Sequence, residues 1–379
     1  MKVAIIGSRG IRSGYSGIER VLAQLCPRIA ALGHEVHVFG EHGEDPSDPS
    51  PPGVRSIRVP SFPGKYTETI TRSALATAVA MARRYDVINL VAIGPGIMSA
   101  AGRLAGLPTV VSIHGLDWRR DKWPAPARLA LRGAERTIVA CADEITCVSR
   151  ELVTHFARAH SREVAYAPNG VDVVPGPADP AALASMGLEQ DGYALFASRL
   201  VPEKGAHDLV RAFAGVPPGK RLVIAGGGRY DMAYVDSLKA AAAPLGDRVV
   251  FTGHLEGARL DAAFRGACLY VLPSYMEGLS LSLLEAMGHG KPCLVSDIPE
   301  NVEAAGDTGA TFAPGDVAAL TDGISRLLAS PGEAAALGTR AAERARQHFS
   351  WDGVARRYVD VYERVARPRG ARAAAGNAR

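Results

Sequence analysis

Cys268-Leu-Tyr-Val-Leu272, then Pro273-Ser-Tyr-Met-Glu277-Gly278-Leu279-Ser280, then Leu281-Ser-Leu-Leu-Glu285-Ala-Met-Gly-His289 reads as one strand, one turn and one helix. The opening run is short, apolar and rich in β-formers, as in a strand buried on both faces. Pro273 ends it, and apolar residues resume at helical spacing over 279–289. One βα unit of this kind predicts little alone, but the pattern recurs through the chain.

Working outward, the later half predicts strands at 193–198, 220–225, 248–252, 268–272, 292–295 and 309–312, with helices at 204–214, 230–243 and 279–289 between them. The earlier half predicts strands at 2–6, 35–39, 54–59, 86–90, 109–113, 143–148 and 163–166. A helix over 18–32 places Ile18, Val21, Leu22, Leu25 and Ile29 on one face, with Pro27 expected to kink it. Turn formers cluster from Pro168-Asn169-Gly170 to Gly176-Pro177 and suit a hinge. The expected organisation is therefore a domain at 1–175, a second at 176–350, a helix at 351–366 and a disordered tail at 367–379. Ser330 and Ser350 are the expected N-caps of the last two helices. Open parallel sheets bind ligands at the carboxyl ends of their strands, and two such edges facing each other would make a cleft.

Composition fits two domains of ordinary globular type. The chain has 379 residues, 47% hydrophobic and 22% charged. The apolar run after Met1 ends at Gly7, too short for the core of a signal peptide. No stretch approaches the ~18 apolar residues of a membrane span, so a cytoplasmic protein is expected. The five cysteines are scattered without metal-ligand spacing and read as buried free thiols. Residues 1–175 carry 21 Lys+Arg against 16 Asp+Glu, whereas 176–366 carry 18 against 23. The basic first half favours an anionic partner, but a net charge of +4 does not argue for nucleic acid.

Chemistry concentrates at predicted strand ends. Glu277 precedes a helix and Glu285 lies inside it, about 80° away around the axis. Free amides of Gly278, Leu279 and Ser280 at the helix start could take a phosphate, while the carboxylates take hydroxyls of a sugar or ribose. On spacing alone, the pair could equally be a helix-start acid and a solvent-facing one. In Ser198-Arg199-Leu-Val-Pro-Glu203-Lys204-Gly205, two cations follow a strand, where they could neutralise a diphosphate. Solvated loop charges are the plain alternative.

These motifs in order, with Pro168-Asn-Gly-Val-Asp172 and Phe349-Ser-Trp351, resemble the retaining GT-B glycosyltransferases of family 4 over about residues 1–366. The resemblance implies an α/β architecture of two Rossmann-like domains facing across a cleft, with the C-terminal helix returning to the first. It implies a nucleotide sugar (UDP-, dTDP- or GDP-linked) as donor, with no cofactor; with no convincing Asp-x-Asp and no histidine cluster at metal spacing, no metal is expected. Arg199 and Lys204 would bind the donor diphosphate, Glu285 the ribose and Glu277 the transferred sugar. The loop Gly7-Ser-Arg-Gly10 to Gly14-Tyr-Ser-Gly17 is glycine-rich, with Gly17 the expected close approach to phosphate. The family often carries two adjacent glycines there, and this chain has Ser16-Gly17. His114, between Ile113 and Gly115, looks like the family's active-site histidine. The run His114 to Trp123 is similar to a rhamnosyltransferase-like subgroup, and with a 6-deoxy sugar His114 would have no 6-hydroxyl to bind. Transfer with retention to an acceptor hydroxyl is implied, in cell-surface polysaccharide or glycolipid synthesis.

Arg128, Arg132 and Arg136 are spaced four apart beside Arg119, Arg120, Lys122 and two tryptophans. This stripe, Arg119–Arg136, could touch anionic lipid at the inner membrane face or a lipid-linked acceptor, or be a solvated helix face. The variable segments 42–53 and 60–72 are candidates for reading a sugar or lipid-linked acceptor. Three alternatives stay open. A nicotinamide-dependent Rossmann oxidoreductase would use Glu41 as its ribose acid, against the glycine spacing. A nucleotide-sugar epimerase would share the fold. A non-catalytic sugar-nucleotide binder would not need all of Glu277, Glu285, Arg199, Lys204 and His114.

Overall fold

Among the described residues, thirteen parallel strands form two separate sheets. The computed structural model describes residues 1–11, 17–45, 50–62, 64, 67–120, 123–228 and 231–367. The first sheet has strands β1 (Lys2–Ile6), β2 (Glu35–Gly40), β3 (Val54–Arg58), β4 (Val87–Val91), β5 (Thr109–Ile113), β6 (Glu144–Cys147) and β7 (Ala165–Tyr166). Their order is β3-β2-β1-β4-β5-β6-β7. In the second sheet are β8 (Tyr193–Ala197), β9 (Arg221–Ala225), β10 (Val249–Gly253), β11 (Leu269–Leu272), β12 (Cys293–Ser296) and β13 (Ala310–Phe312), in the order β10-β9-β8-β11-β12-β13. Both orders reverse direction once, between β1 and β4 and between β8 and β11. Doubly wound sheets bind ligands at such switch points.

The central strands are apolar runs because helices cover both faces. Val3 to Ile6, Val110, Val111 and Leu269 to Leu272 are at most 1% exposed. The first sheet nevertheless buries a polar chain across its middle. Ser112 Oγ donates to Asn89 Oδ1 at 2.9 Å, and Thr146 Oγ1 to Ser112 Oγ at 2.9 Å. Asn89 Nδ2 then donates to Tyr362 Oη at 2.8 Å. Tyr362 belongs to the helix Trp351–Ala366, so a side chain 273 residues downstream completes the chain. Arg28 with Asp352 at 3.2 Å and Arg364 with Glu144 at 2.8 Å fasten the same helix.

Accordingly, the first compact unit contains Met1–Asn169 and the helix from Trp351, and the second contains Gly170–Ser350. The change falls at Asn169–Gly170, earlier than residue 175. Val171 N donates to Phe349 O at 2.7 Å and Val174 N to Gly288 O at 3.2 Å, which ties 170–175 into the second unit. The expected disordered tail lies outside the described residues from 368 onward.

Pro27 sits inside a helix that runs unbroken over Gly17–Ala31. Ser330 occupies the cap position of Pro331–His348, but its side chain makes no capping bond. All five cysteines are free thiols; Cys26, Cys147 and Cys293 are buried, and burial pushes the Cys26 thiol up to about 12. No helix among the described residues is long and apolar enough to cross a membrane.

Candidate functional site

In the second unit, the loops leaving β8 and β11 meet at the switch point. The first runs through Arg199 to a 3-10 turn at Pro202–Lys204. Gly205 has φ +68°, and a Cβ there would lie 2.0 Å from Pro273 O. Only glycine allows the two loops to approach so closely. Tyr275 N donates to Glu203 O at 2.9 Å and completes the join.

Lys204 and Glu277 are thereby brought together, with Nζ 2.7 Å from Oε1 and side chains 10% and 8% exposed. Lys204 Nζ also donates to Met276 O at 3.2 Å, and Ser274 Oγ donates to Glu277 Oε1 at 2.7 Å. Removing one partner of such a buried pair leaves a costly unpaired charge. Arg199 sits differently. Its side chain is 48% exposed and pairs with Glu203 at 3.3 Å.

The helix after Glu277 begins at Leu281, not Gly278. Ser280 is extended and accepts from Leu283 N at 3.3 Å, so it caps the helix and moves the start three residues on. Gly278, Leu279 and Ser280 therefore form the loop entering the helix, and the first-turn amides begin at Leu281. Glu285 lies within Leu281–Gly288, half-buried. Beneath the loop, Ser296 Oγ donates to Ser274 O at 2.5 Å, and Asn301 Nδ2 to Ser296 Oγ at 3.0 Å.

In the first unit, His114 follows β5 directly and is half-buried. Burial lowers its pKa to about 4, so the imidazole is neutral at physiological pH. Gly7 ends β1 with φ +119°, and a Cβ there would come 2.5 Å from Val91 O. Gly17 is the first residue of its helix. Gly14, Tyr15 and Ser16 lie outside the described residues, as do Asp121 and Lys122 of the basic stripe and parts of 42–53 and 60–72.

Three features of this unit were not visible in the residue spacing. Ala92, after β4, holds φ +78° without being glycine. Glu41 is held by Arg9 at 3.4 Å and Arg72 at 3.1 Å, while Glu68 pairs with Arg72 at 2.7 Å and Arg9 at 3.3 Å. Burial, then its hydrogen bond to Glu68, raises the Glu41 pKa. Glu135, His155 and His160 form a third cluster, assembled from two helices.

Two doubly wound Rossmann-like sheets, the second with a buried lysine–carboxylate pair at its switch point, are the parts of a GT-B glycosyltransferase, and the relatives of the chain are of that class. Residues 15–174 match the family described as Glycosyltransferase Family 4, and residues 184–344 match Glycosyl transferases group 1. A glycogen synthase of Mycobacterium tuberculosis is 30% identical, over 94% of this chain and 92% of its own. A GDP-mannose-dependent alpha-(1-6)-phosphatidylinositol monomannoside mannosyltransferase of Mycolicibacterium smegmatis is 33% identical, over 67% and 70%. Sucrose-phosphate synthase from Thermosynechococcus elongatus shares the fold with a TM-score of 0.81 at 24% identity, over 96% and 99% of the two chains. The chain belongs to glycosyltransferase family 4 and is a nucleotide-sugar-dependent transferase. That decides against the oxidoreductase reading, and Glu41 is engaged by arginines.

Proposed function

We propose that this enzyme moves a hexosyl or deoxyhexosyl group to an acceptor hydroxyl with retention of configuration, and that Lys204 and Arg199 stabilise the leaving diphosphate without a divalent ion. The Lys204–Glu277 pair carries this reading. An ammonium has three protons. Glu277 and Met276 O take two of them, and the third is left for a diphosphate oxygen. Both contacts of Glu277 fall on Oε1 among the described residues, which leaves Oε2 for a sugar hydroxyl. Arg199 supplies a second, more exposed charge, and the segment Gly278, Leu279, Ser280 supplies amides. Glu285 is assigned to the ribose, Gly17 to phosphate approach and His114, as a neutral imidazole, to the transferred sugar. Attack from the leaving-group face, with the departing phosphate accepting the acceptor proton, accounts for retention.

Turnover across UDP-, GDP- and dTDP-sugars tests the reading. One donor should turn over without added Mg²⁺, giving a product whose anomeric configuration by NMR matches the donor. Strict dependence on Mg²⁺, or an inverted product, would refute the corresponding part.

The acceptor is proposed to be a sugar or lipid-linked sugar, in cell-surface polysaccharide or glycolipid synthesis, with the basic stripe at the inner membrane face. Leu129, 72% exposed, projects from the same helix as Arg128, Arg132 and Arg136. Two of these arginines have local partners. Arg128 Nε donates to Trp123 O at 2.8 Å, and Arg132 stacks 4.7 Å over Trp118. Co-sedimentation with anionic vesicles should weaken in an Arg128/Arg132/Arg136→Gln variant. Equal binding by both proteins would remove the stripe from the account.

A further inference from the structure

In the first unit, one carboxylate that has no assigned role toward the donor collects three nitrogen donors. Glu135 lies in the helix Ala125–Cys141 and is 4% exposed. Its Oε1 meets His155 Nε2 at 2.9 Å and His160 Nε2 at 2.7 Å. Its Oε2 accepts from Trp118 Nε1 at 2.6 Å. Both histidines come from the helix Arg150–His160. Ser149 caps the start of that helix, and Ser161 ends it with φ +48° immediately after His160. The cluster is therefore beside a helix C-terminus, where the dipole favours a cation. Among the described residues the ion-pair partners of Glu135 are these two histidines, with no lysine or arginine.

We propose that Glu135, His155 and His160 bind one divalent transition-metal ion of the Zn²⁺ type, through Oε1 and the two Nε2 atoms. The three ligand atoms already lie within 4.8 Å of one another. A tetrahedral ion with bonds of about 2.0–2.2 Å needs ligand atoms roughly 3.3–3.5 Å apart, so side-chain shifts below about 1 Å suffice. Two imidazoles and one carboxylate suit Zn²⁺ rather than Mg²⁺ or Ca²⁺. Binding moves each ring proton from Nε2 to Nδ1, so that Nε2 offers its lone pair to the metal. His155 also lines a cavity of 300 Å³ with Arg119, Glu151, Thr154, Arg158 and Ala159. The cavity reaches one of the three ligands, His155, and a water would complete the four-coordinate set. The ion is structural. By holding Glu135 it would fix Trp118 and the turn Asp117–Arg119, three residues beyond His114.

The test uses the full chain, stripped of metal by a chelator and titrated with Zn²⁺ by calorimetry, with Co²⁺ absorption as a second readout. The expected result is one Zn²⁺ per chain and the visible bands of four-coordinate Co²⁺. His155→Gln and His160→Gln should each weaken binding at least ~10-fold while keeping the wild-type circular dichroism. Trp118→Phe should keep the metal, because the indole touches only the other oxygen. No saturable Zn²⁺ binding, or unchanged affinity in both folded histidine variants, would overturn the proposal. Either result would leave the donor-site reading intact, since no residue is shared.

Discussion

The two sheets have the same winding but place their buried polarity differently. In the first unit a neutral chain runs through the middle of the sheet, Thr146 to Ser112 to Asn89, and ends on Tyr362 of the terminal helix, while the ion pairs of Arg72 with Glu41 and Glu68 stand apart from it. In the second unit the buried polarity gathers at the switch-point edge, where Ser274, Ser296, Asn301, Lys204 and Glu277 form one bonded group. A polar chain at mid-sheet holds a helix in place, whereas a polar group at the strand ends can meet a ligand. Fold alone does not tell the two units apart as donor sites, and the ion pair at the switch point of the second is what supports the proposal that the donor binds there.

The contrast can be broken or sharpened by substitution. Lys204→Ala should lower kcat about 10²- to 10³-fold, as for loss of a charge-stabilising donor, with Glu277 left unpaired as well. Steady-state turnover on the preferred donor measures it. Arg199→Ala should cost about 100-fold, at the lower end because the side chain is half-exposed. A near-normal rate in either variant would shift catalysis away from this loop. Gly205→Ala should destabilise the second unit by about 2 kcal/mol or more in denaturant unfolding, since both its φ and Pro273 O oppose a Cβ. Tyr362→Phe should cost about 1–2 kcal/mol by stranding Asn89 Nδ2, with little change in kcat. A pH-dependent effect concerns His114. Its pKa falls from 6.5 to about 4 on folding, so the unfolded chain binds the extra proton first. Stability should therefore decline as pH falls from 6.5 toward 4, and His114→Asn should flatten that part of the pH–stability curve.

Much of the fold was legible because parallel strands covered on both faces must be short apolar runs. Every strand expected from the sequence corresponds to one in the structure, from Lys2–Ile6 to Ala310–Phe312. Local placement was legible too, since Arg199, Lys204 and Glu277 stand in segments that follow strands. Contacts between distant residues were not. Nothing in the spacing pairs Lys204 with Glu277, which depends on β8 and β11 being neighbours. Asn89 and Tyr362 meet only because the last helix packs on the first sheet. Glu135, His155 and His160 fit no metal-ligand spacing, because two helices and an i, i+5 offset at a helix end bring them together. The helix start at Leu281 was missed through the capping role of Ser280, whose hydroxyl reads in the sequence as one more polar residue.

The most direct test is calorimetric titration of the nucleoside diphosphate matching the preferred donor into wild type and Lys204→Ala, without divalent ions. Saturable binding to the wild-type protein is expected, weakened at least ~10-fold in the variant by loss of the charge-assisted contact. Equal affinity for both proteins would contradict it.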